Sequence, residues 1–408
     1  MNSGDTAWIL VSTALVMLMT PALAFFYGGM VRRKNLLSTI MMSFAILCMI
    51  SVLWVIYGYT MAFGPDVKGL IGNFSWFGLM GVGQNPSTVY AVTVPHLAFM
   101  AFQATFAIIT VALWTGAVVE RIKFGALLAF AALWFTLVYC PIAHWVWGSG
   151  GWLAQMGALD FAGGTVVHVN AGISALALAM VLGPRRGFKE GETMEPNNIP
   201  YVVLGAALLW FGWFGFNAGS ALTAGGLASS AFITTNTAAA SAGLTWMVLG
   251  WIHRRPSVVG AATGAVVGLV AITPAAGFVQ PWAAIPIGAI GSIISYYVMV
   301  WRAKANKVDE SLDVFACHGM GGTWGALATG IFATTAVNPA GSGLIDGNWK
   351  QVFIQILAIA ATMVFSFGVS WLLAKALKAT MGLRVKEEEE AVGLDISQHG
   401  ENAYGGIS

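Results

Sequence analysis

Two histidines, His168 and His318, lie deep inside apolar runs that are long enough to be buried in a membrane. Both runs contain an acidic residue shortly before the histidine, in the motifs Asp160-Phe-Ala-Gly-Gly-Thr-Val-Val-His168 and Asp313-Val-Phe-Ala-Cys-His318. Ionisable groups are costly to bury at that depth, so they are candidates for function. We predict that His168 and His318 meet inside one pore.

Two imidazoles in contact could share one proton, and such a pair gives a polar but uncharged lining that can also relay a proton. A hydrogen bond that merely joins two membrane helices is the first alternative. A metal site is the second, because Cys317 is adjacent to His318. The chain has no Cys/His spacing of the zinc type, so we expect no bound metal and no cofactor.

The two aspartates are expected to support the pore. Asp160 precedes a helical run and is followed by Gly-Gly-Thr, which favours a helix cap over direct contact with a substrate. Asp313 has the same place before the run of His318, on the opposite side of the membrane. We therefore expect both carboxylates to accept hydrogen bonds from backbone N–H groups rather than to react.

Aromatic residues cluster where a small cation could bind. Phe102 and Phe106 are four residues apart and share one helix face. Trp145 and Trp147 end another apolar run. Ring faces with one hydroxyl select a small cation by cation–π contact and a hydrogen bond. The alternative is an interfacial belt of aromatic residues, or plain packing.

Composition identifies a membrane protein. The 408 residues are 58% hydrophobic and 9% charged, whereas soluble domains carry about 25% charged residues. The net charge of +2 gives no indication of nucleic-acid binding, and three cysteines in apolar runs do not imply disulfides. We predict an all-α, multi-pass membrane protein. About 20 apolar residues cross a bilayer, and the segments of that kind are 8–31, 38–63, 95–118, 124–147, 162–183, 199–222, 230–252, 257–276, 281–301, 314–335 and 351–375.

The basic residues predict the orientation of these eleven segments. Seventeen of the 19 Lys and Arg residues fall in one alternating set of connections and in the tail, whereas the other set holds only Lys68 and Lys350. The basic side of a membrane protein faces the cytoplasm. We therefore predict an outer N-terminus, an inner C-terminus and a location in the cytoplasmic membrane.

Two halves are predicted within the membrane domain, residues 1–381. His168 lies in the fifth segment and His318 in the tenth, so each half has five segments. Because five is an odd number, repeats over about 8–190 and 199–335 must be inverted relative to each other. Inverted repeats place a transport site at the interface of the halves. The eleventh helix, about 351–375, follows them. Residues 382–408 are polar and charged, and we expect a cytoplasmic regulatory tail, with a disordered end as the alternative.

Four motifs resemble the ammonium transporter (Amt/Mep/Rh) family, on its bacterial and archaeal Amt branch. They are Asp160 to His168, Asp313 to Gly319, Gly212-Trp-Phe-Gly-Phe-Asn-Ala-Gly-Ser220 and Phe26-Tyr-Gly-Gly29, and the match extends to Asn402-Ala-Tyr404. The resemblance implies an eleven-helix homotrimer with one pore in each subunit. It further implies a cytoplasmic PII-type signal protein as a partner that docks at the tail.

The resemblance also implies site residues for ammonium. These are Trp147, Phe106 and Ser220 at the outer site, with Phe102 and Trp213 as neighbours; Phe106 and Phe216 as a stacked gate; His168 and His318 in the pore; and Asp160 as a buried support. Trp145 is the alternative to Trp147, because the interval from Trp147 to Asp160 is one residue longer than the family pattern.

The expected function is therefore ammonium and methylammonium transport, with capture of the cation and conduction of ammonia, and no enzymatic activity. Three alternatives stay open: an ammonium sensor that signals through its tail, an Rh-like gas channel, and a membrane metalloenzyme. The sequence contains no ATP-binding motif, which indicates that transport is not directly driven by ATP.

Overall fold

The computed structural model describes residues 1–404, and long apolar helices dominate it. Eight of the helices within this range are long and apolar enough to cross a membrane. They are α1 (Ser3–Met30), α2 (Arg33–Phe63), α3 (His96–Ala117), α4 (124–147), α5 (Gly164–Leu182), α6 (Ile199–Ala218), α9 (Pro281–Ala305) and α11 (Lys350–Thr380).

Three further predicted segments are also helical, but they are too short or not apolar enough to rank with these eight. They form α7 (Gly226–His253), α8 (Val258–Ile272) and α10 (315–332). The predicted helices therefore exist, while the number of membrane crossings is a separate question. Two short helices lie in the tail, α12 (Glu387–Val392) and α13 (Leu394–His399).

The expectation of an all-α chain needs one correction, in the connection between α2 and α3. Two antiparallel hairpins lie there, β1 (Asp66–Val67) with β2 (Ile71–Gly72) and β3 (Pro86–Ser87) with β4 (Ala91–Pro95). Strands of two to five residues carry too little alternation of polar and apolar residues to be recognised in a sequence.

Side-chain caps start several helices where the sequence supplies a short polar residue. The backbone N–H groups of Asp5, Tyr201 and Gly260 donate to the side chains of Asn2, Asn198 and Ser257, at 3.0–3.1 Å. Such a cap satisfies one of the four N–H groups that every helix start leaves without a partner.

Glycines allow the two halves of the chain to approach closely at the centre of the molecule. A Cβ atom on Gly172 of α5 would overlap the backbone nitrogen of Gly319 in α10. A Cβ atom on Gly322 would collide with the Cβ atom of His168. Because these positions have no side chain, α5 and α10 cross in backbone contact.

The last long helix, α11, lies parallel to α5 along its whole length. Hydrogen bonds of 2.8–3.0 Å join the two segments at a nearly constant offset in sequence, and they pair Gln355 with Leu159, Ser366 with Asn170, Ser370 with Ser174 and Lys378 with Val181. Polar side chains in membrane helices associate in this way because lipid offers no alternative partner. Helix α11 therefore holds α5 in place.

A buried ion cluster joins the connections at the end of the molecule that carries the tail. Glu120 pairs with Arg32 at 2.8 Å and with Arg185 at 3.3 Å, and Arg185 also pairs with Asp309 at 2.8 Å. Burial would raise the pKa of Glu120, but the guanidinium groups of Arg185 and Arg32 hold it below its ordinary value. The cluster therefore stays charged and ties both halves together.

The tail through Tyr404 is docked on this same end of the molecule. Leu383 accepts from the N–H of Lys123, Glu390 from that of Arg186 and Asp395 from that of Ser38, at 2.6–2.8 Å. The side chains of Glu390 and Asp395 are buried. Burial also raises the pKa of Asp395. The tail is thus packed against the start of α2 and against the connections that follow α3 and α5.

Candidate functional site

His168 and His318, the two histidines predicted to line a pore, meet at the crossing of α5 and α10. The Nδ1 atoms of His168 and His318 are 3.2 Å apart, with ring centroids 5.2 Å apart. Both side chains are buried. A hydrogen bond between two Nδ1 atoms requires that one ring donates and the other accepts, so the pair shares a single proton at this contact.

Three of the predicted site residues lie in helical turns that are wider than an α-helix. His168 belongs to the π turn Gly164–Val169, Phe216 to Phe214–Ala218 and His318 to Phe315–Met320. A π turn rotates the following residues relative to a regular helix and often marks a functional site. The turns set the direction of these side chains in a way that helical periodicity does not predict.

Two phenylalanine rings close the path on one side of the histidines. The rings of Phe106 and Phe216 are stacked, with centroids 4.3 Å apart and planes at 29°. Phe102 packs edge-on against Phe106 at 4.9 Å and is fully buried. The expected pair therefore forms a stack, and Phe102 supports it from behind.

An aromatic cavity of about 230 Å³ lies beyond this stack, and it is open to solvent. Its lining includes Phe106, Trp147, Ser220, Tyr90, Asp160 and Phe161. The Ser220 hydroxyl donates to the carbonyl of Phe216 at 2.8 Å. Its oxygen therefore keeps a lone pair for a donor in the cavity.

The two candidate tryptophans have different surroundings. Trp147 stands edge-on to Phe106 at 5.9 Å, and its Nε1 donates to the carbonyl of Asp160 at 2.9 Å. Trp145 instead packs against Trp152 and Phe365, and its Nε1 donates to Leu70. The geometry therefore brings Trp147, and not Trp145, to the aromatic cavity.

Trp213 lies one level deeper than the aromatic cavity. Its ring packs nearly parallel to that of His168, with centroids 5.5 Å apart, and its Nε1 donates to Thr273 at 2.8 Å. It lines the narrow passage between Phe216 and His318, together with Ile109 and Leu113. Trp213 is thus a wall of that passage.

The carboxylate of Asp160 accepts hydrogen bonds from four backbone N–H groups. One oxygen accepts from the N–H groups of Gly163 and Gly164, at 2.9 and 2.6 Å, and the other from those of Thr165 and Val166, at 2.9 and 3.1 Å. Three of the donors open α5, and the fourth, Gly163, is the residue before it. The carboxylate therefore fixes the turn that carries His168.

Before α10, the position that corresponds to Asp160 is occupied by Glu310, which was not predicted from the sequence. Its carboxylate is fully buried and accepts from the N–H groups of Val314 and Phe315, at 2.9 and 3.3 Å. Asp313, expected in this place, pairs instead with Arg302. The available signal was spacing, because Glu310 precedes His318 by eight residues, as Asp160 precedes His168.

The imidazole of His144 anchors the end of α4 that contains Trp147. The Nδ1 of His144 lies 2.9 Å from the carbonyl of Ala62, and its Nε2 lies 2.9 Å from a carboxylate oxygen of Asp66. The ring thereby bridges Ala62, near the end of α2, and Asp66 in β1. The contact anchors the β1–β2 connection to α4.

A second, larger cavity lies on the other side of the histidines. This tail-side cavity has a volume of about 630 Å³ and is lined by residues that include Tyr27, Trp246, Tyr296, Cys317 and His318. The passage between it and the phenylalanine stack measures only about 10 Å³. Within residues 1–404, no group of three or more His, Cys, Asp and Glu side chains is arranged to hold a metal.

An apolar bundle with eight helices of membrane length within residues 1–404 is the architecture of a multi-pass membrane protein. Comparison with known proteins identifies its kind. A model of the ammonium transporter family matches residues 7–404. The chain belongs to the ammonium transporter family.

Individual relatives agree with this assignment. The chain is 52% identical over 406 residues to the ammonium transporter of Bacillus subtilis, with 99% of each chain covered. It is 51% identical over 405 residues to ammonium transporter Amt1 of Archaeoglobus fulgidus, covering 99% of this chain and 100% of that protein. The crystal structure of Candida albicans Mep2 is similar with a TM-score of 0.90 and 35% identity, over 99% of this chain and 90% of that one.

Proposed function

We propose that this chain transports ammonium, and its analogue methylammonium, across the cytoplasmic membrane. The observation that carries the proposal is the imidazole pair, with 3.2 Å between the Nδ1 atoms of His168 and His318, behind the stacked rings of Phe106 and Phe216. Membership of the ammonium transporter family supports the choice of substrate.

Capture takes place in the aromatic cavity. The faces of Phe106 and Trp147 attract a small cation through their negative π surfaces, a contact that contributes about 0.5–2 kcal/mol. The Ser220 oxygen accepts one N–H hydrogen bond from the ion. Phe102 supports Phe106 from behind, and Trp213 forms the first wall after the stack.

The ion gives up its proton to water in the solvent-open aromatic cavity before it enters the passage, because the passage is too apolar for an ion. The idealised cost of moving an ammonium-sized ion into an apolar medium is on the order of 20 kcal/mol. Losing the proton costs about 3 kcal/mol at neutral pH, because the pKa of ammonium lies roughly two units above neutrality and each unit is about 1.4 kcal/mol. The neutral molecule therefore crosses the passage.

His168 and His318 receive the neutral molecule. Their rings supply the hydrogen-bonding atoms that an amine or a proton needs between the two cavities. Ammonia takes up a proton again in the tail-side cavity. Glu310 and Asp160 hold the turns that carry these two rings and do not contact the substrate themselves.

Flux and charge measured together test this function. We expect saturable methylammonium uptake into proteoliposomes, and on a planar membrane the current after an ammonium jump reports whether the proton crosses as well. Absence of uptake would contradict transport and favour a sensor. Uptake without saturation or current would favour a gas channel.

The same proposal includes a topology and an assembly. We propose eleven membrane spans, formed by α1 to α11, with the N-terminus outside and the C-terminus inside. Seventeen of the 19 Lys and Arg residues then face the cytoplasm, as the positive-inside rule requires. By family membership we further propose a homotrimer with one pore in each subunit.

The docked tail is proposed as a regulatory element. It contacts the start of α2 and two connections at the tail end of the molecule, and its Arg384 pairs with Glu390 at 2.6 Å. This docked position supports the proposal that residues 382–404 meet a cytoplasmic PII-type signal protein. The tail would then supply part of the surface on which that partner docks.

Truncation after Met381 should leave a folded transporter with reduced activity. We expect methylammonium uptake to fall about tenfold, which corresponds to a coupling of about 1.4 kcal/mol between tail and pore. A chain that ends at Tyr404 keeps every tail contact described above and is the matched control. A truncated protein that transports normally and still retains the PII protein in a pull-down would rule out both roles.

A further inference from the structure

Glu310 is a buried ionisable group that the transport steps above leave without a chemical task. Its side chain is fully buried in the connection between α9 and α10. Its two carboxylate oxygens accept from the N–H groups of Val314 and Phe315, which open α10. His318 follows Phe315 by three residues, so the first turn of α10 determines where its ring lies.

Several ionisable groups surround Glu310. Arg302 on α9 and Asp313 on its own connection form an ion pair beside it. Tyr27 on α1 and Cys317 on α10 also face it. Burial raises the pKa of Glu310 to about 7, with Arg302 opposing the shift and Asp313 adding to it. The group therefore changes charge near neutral pH.

We propose that Glu310 is a positioning residue that responds to proton concentration on the tail side. As a carboxylate it fixes the first turn of α10 and thereby His318, and as a neutral acid it releases part of that turn. The inference rests on the proposed transport function, and it adds a regulation of the same pore from the cytoplasmic side.

The two charge states differ in the number of hydrogen bonds they can accept. A carboxylate offers two acceptor oxygens, one to each of Val314 and Phe315. A neutral carboxyl group turns one oxygen into an O–H donor and accepts well with the other only. One buried N–H of the first turn then lacks its partner, and the turn opens more easily.

The raised pKa of Glu310 determines how transport depends on the tail-side pH. Above about pH 7 the carboxylate predominates and holds the turn, and below it the neutral form predominates. Between about pH 8 and about pH 6 the ionised fraction falls from about 90% to about 10%. Because the neutral acid releases only part of the turn, transport should fall severalfold, by at most about ninefold, over that interval when the tail-side pH alone is lowered.

The matched variants are Glu310→Gln and Glu310→Asp. Glutamine keeps one acceptor oxygen and does not titrate, so we expect methylammonium uptake that is nearly independent of tail-side pH. Aspartate still titrates, so its pH dependence should remain with a displaced midpoint. Glu192→Gln, at an exposed residue of the connection between α5 and α6, should reproduce the wild-type profile.

Uptake is measured in oriented proteoliposomes at fixed outer pH while the lumenal pH on the tail side is varied. Hydrogen exchange of the peptide over 311–320 at the same pH values, corrected for intrinsic rates, reports the turn without any need for transport. We expect its protection to decrease with acidification in the wild type and to stay constant in Glu310→Gln.

Two results would overturn the inference. One is a wild-type transporter in which neither methylammonium uptake nor hydrogen exchange of the 311–320 peptide changes with tail-side pH. The other is a Glu310→Gln variant that keeps the wild-type dependence on tail-side pH. A wild type that takes up no methylammonium at any pH contradicts the proposed function instead. The exchange experiment still decides the role of Glu310 in that case.

Discussion

Replacement of both His168 and His318 by alanine is expected to reduce methylammonium uptake by about 100-fold or more, which is the usual scale for losing a positioned proton-transfer group. The double variant removes the proton shared across 3.2 Å and leaves the narrow passage without its imidazoles. Saturable uptake into proteoliposomes, compared at equal amounts of reconstituted protein, measures the loss.

His253→Ala is the control for losing a histidine elsewhere on the route, because His253 lines the tail-side cavity but hydrogen-bonds to Leu249 of its own helix and not to another imidazole. Single replacements of His168 or His318 by glutamate are gentler, since an acid still exchanges protons. Wild-type rate and selectivity in the double alanine variant would end the proposal of a functional imidazole pair.

Asp160→Ala is expected to destabilise the transporter by at least about 2 kcal/mol, because four buried N–H groups lose their acceptor and each unsatisfied donor costs about 1–3 kcal/mol. The start of α5 carries both those donors and His168, so uptake should be lost together with stability. Thermal unfolding in detergent and uptake in vesicles measure the two effects.

Asp160→Asn separates capping from charge. Asparagine keeps one acceptor oxygen, so it should retain part of the hydrogen bonding and cost less than alanine does. If the asparagine and alanine variants lose stability and uptake alike, the negative charge matters and the cap does not. A normal Asp160→Ala variant would exclude both roles.

The central features could be predicted from sequence because each has a strong physical signal. Imidazoles deep in apolar runs are costly, and depth selects His168 and His318 among six histidines, because the other four lie near the ends of segments or in the tail. Helices of membrane length are visible as continuous apolar runs. The family was equally accessible, since its motifs are long, and the family model later matched residues 7–404.

The remaining features depend on tertiary contacts that one sequence does not reveal. Glu310 was missed because Asp313 is nearer the apolar run, yet the backbone at Asp313 turns to a φ of 58° and sends its side chain to Arg302. The π turns have no characteristic amino-acid composition by which a sequence would predict them. The docking of the tail depends on connections far away in sequence, such as those at Ser38 and Lys123.

The pairing of α11 with α5 has a consequence for biosynthesis. Membrane proteins are made from the N-terminus onwards, so α5 emerges from the ribosome long before its partner does. Until α11 arrives, Asn170 and Ser174 lack the serine hydroxyls that contact them in the finished protein. The final helix thus completes the wall behind His168, and a nascent chain that stops short of it holds an unfinished pore.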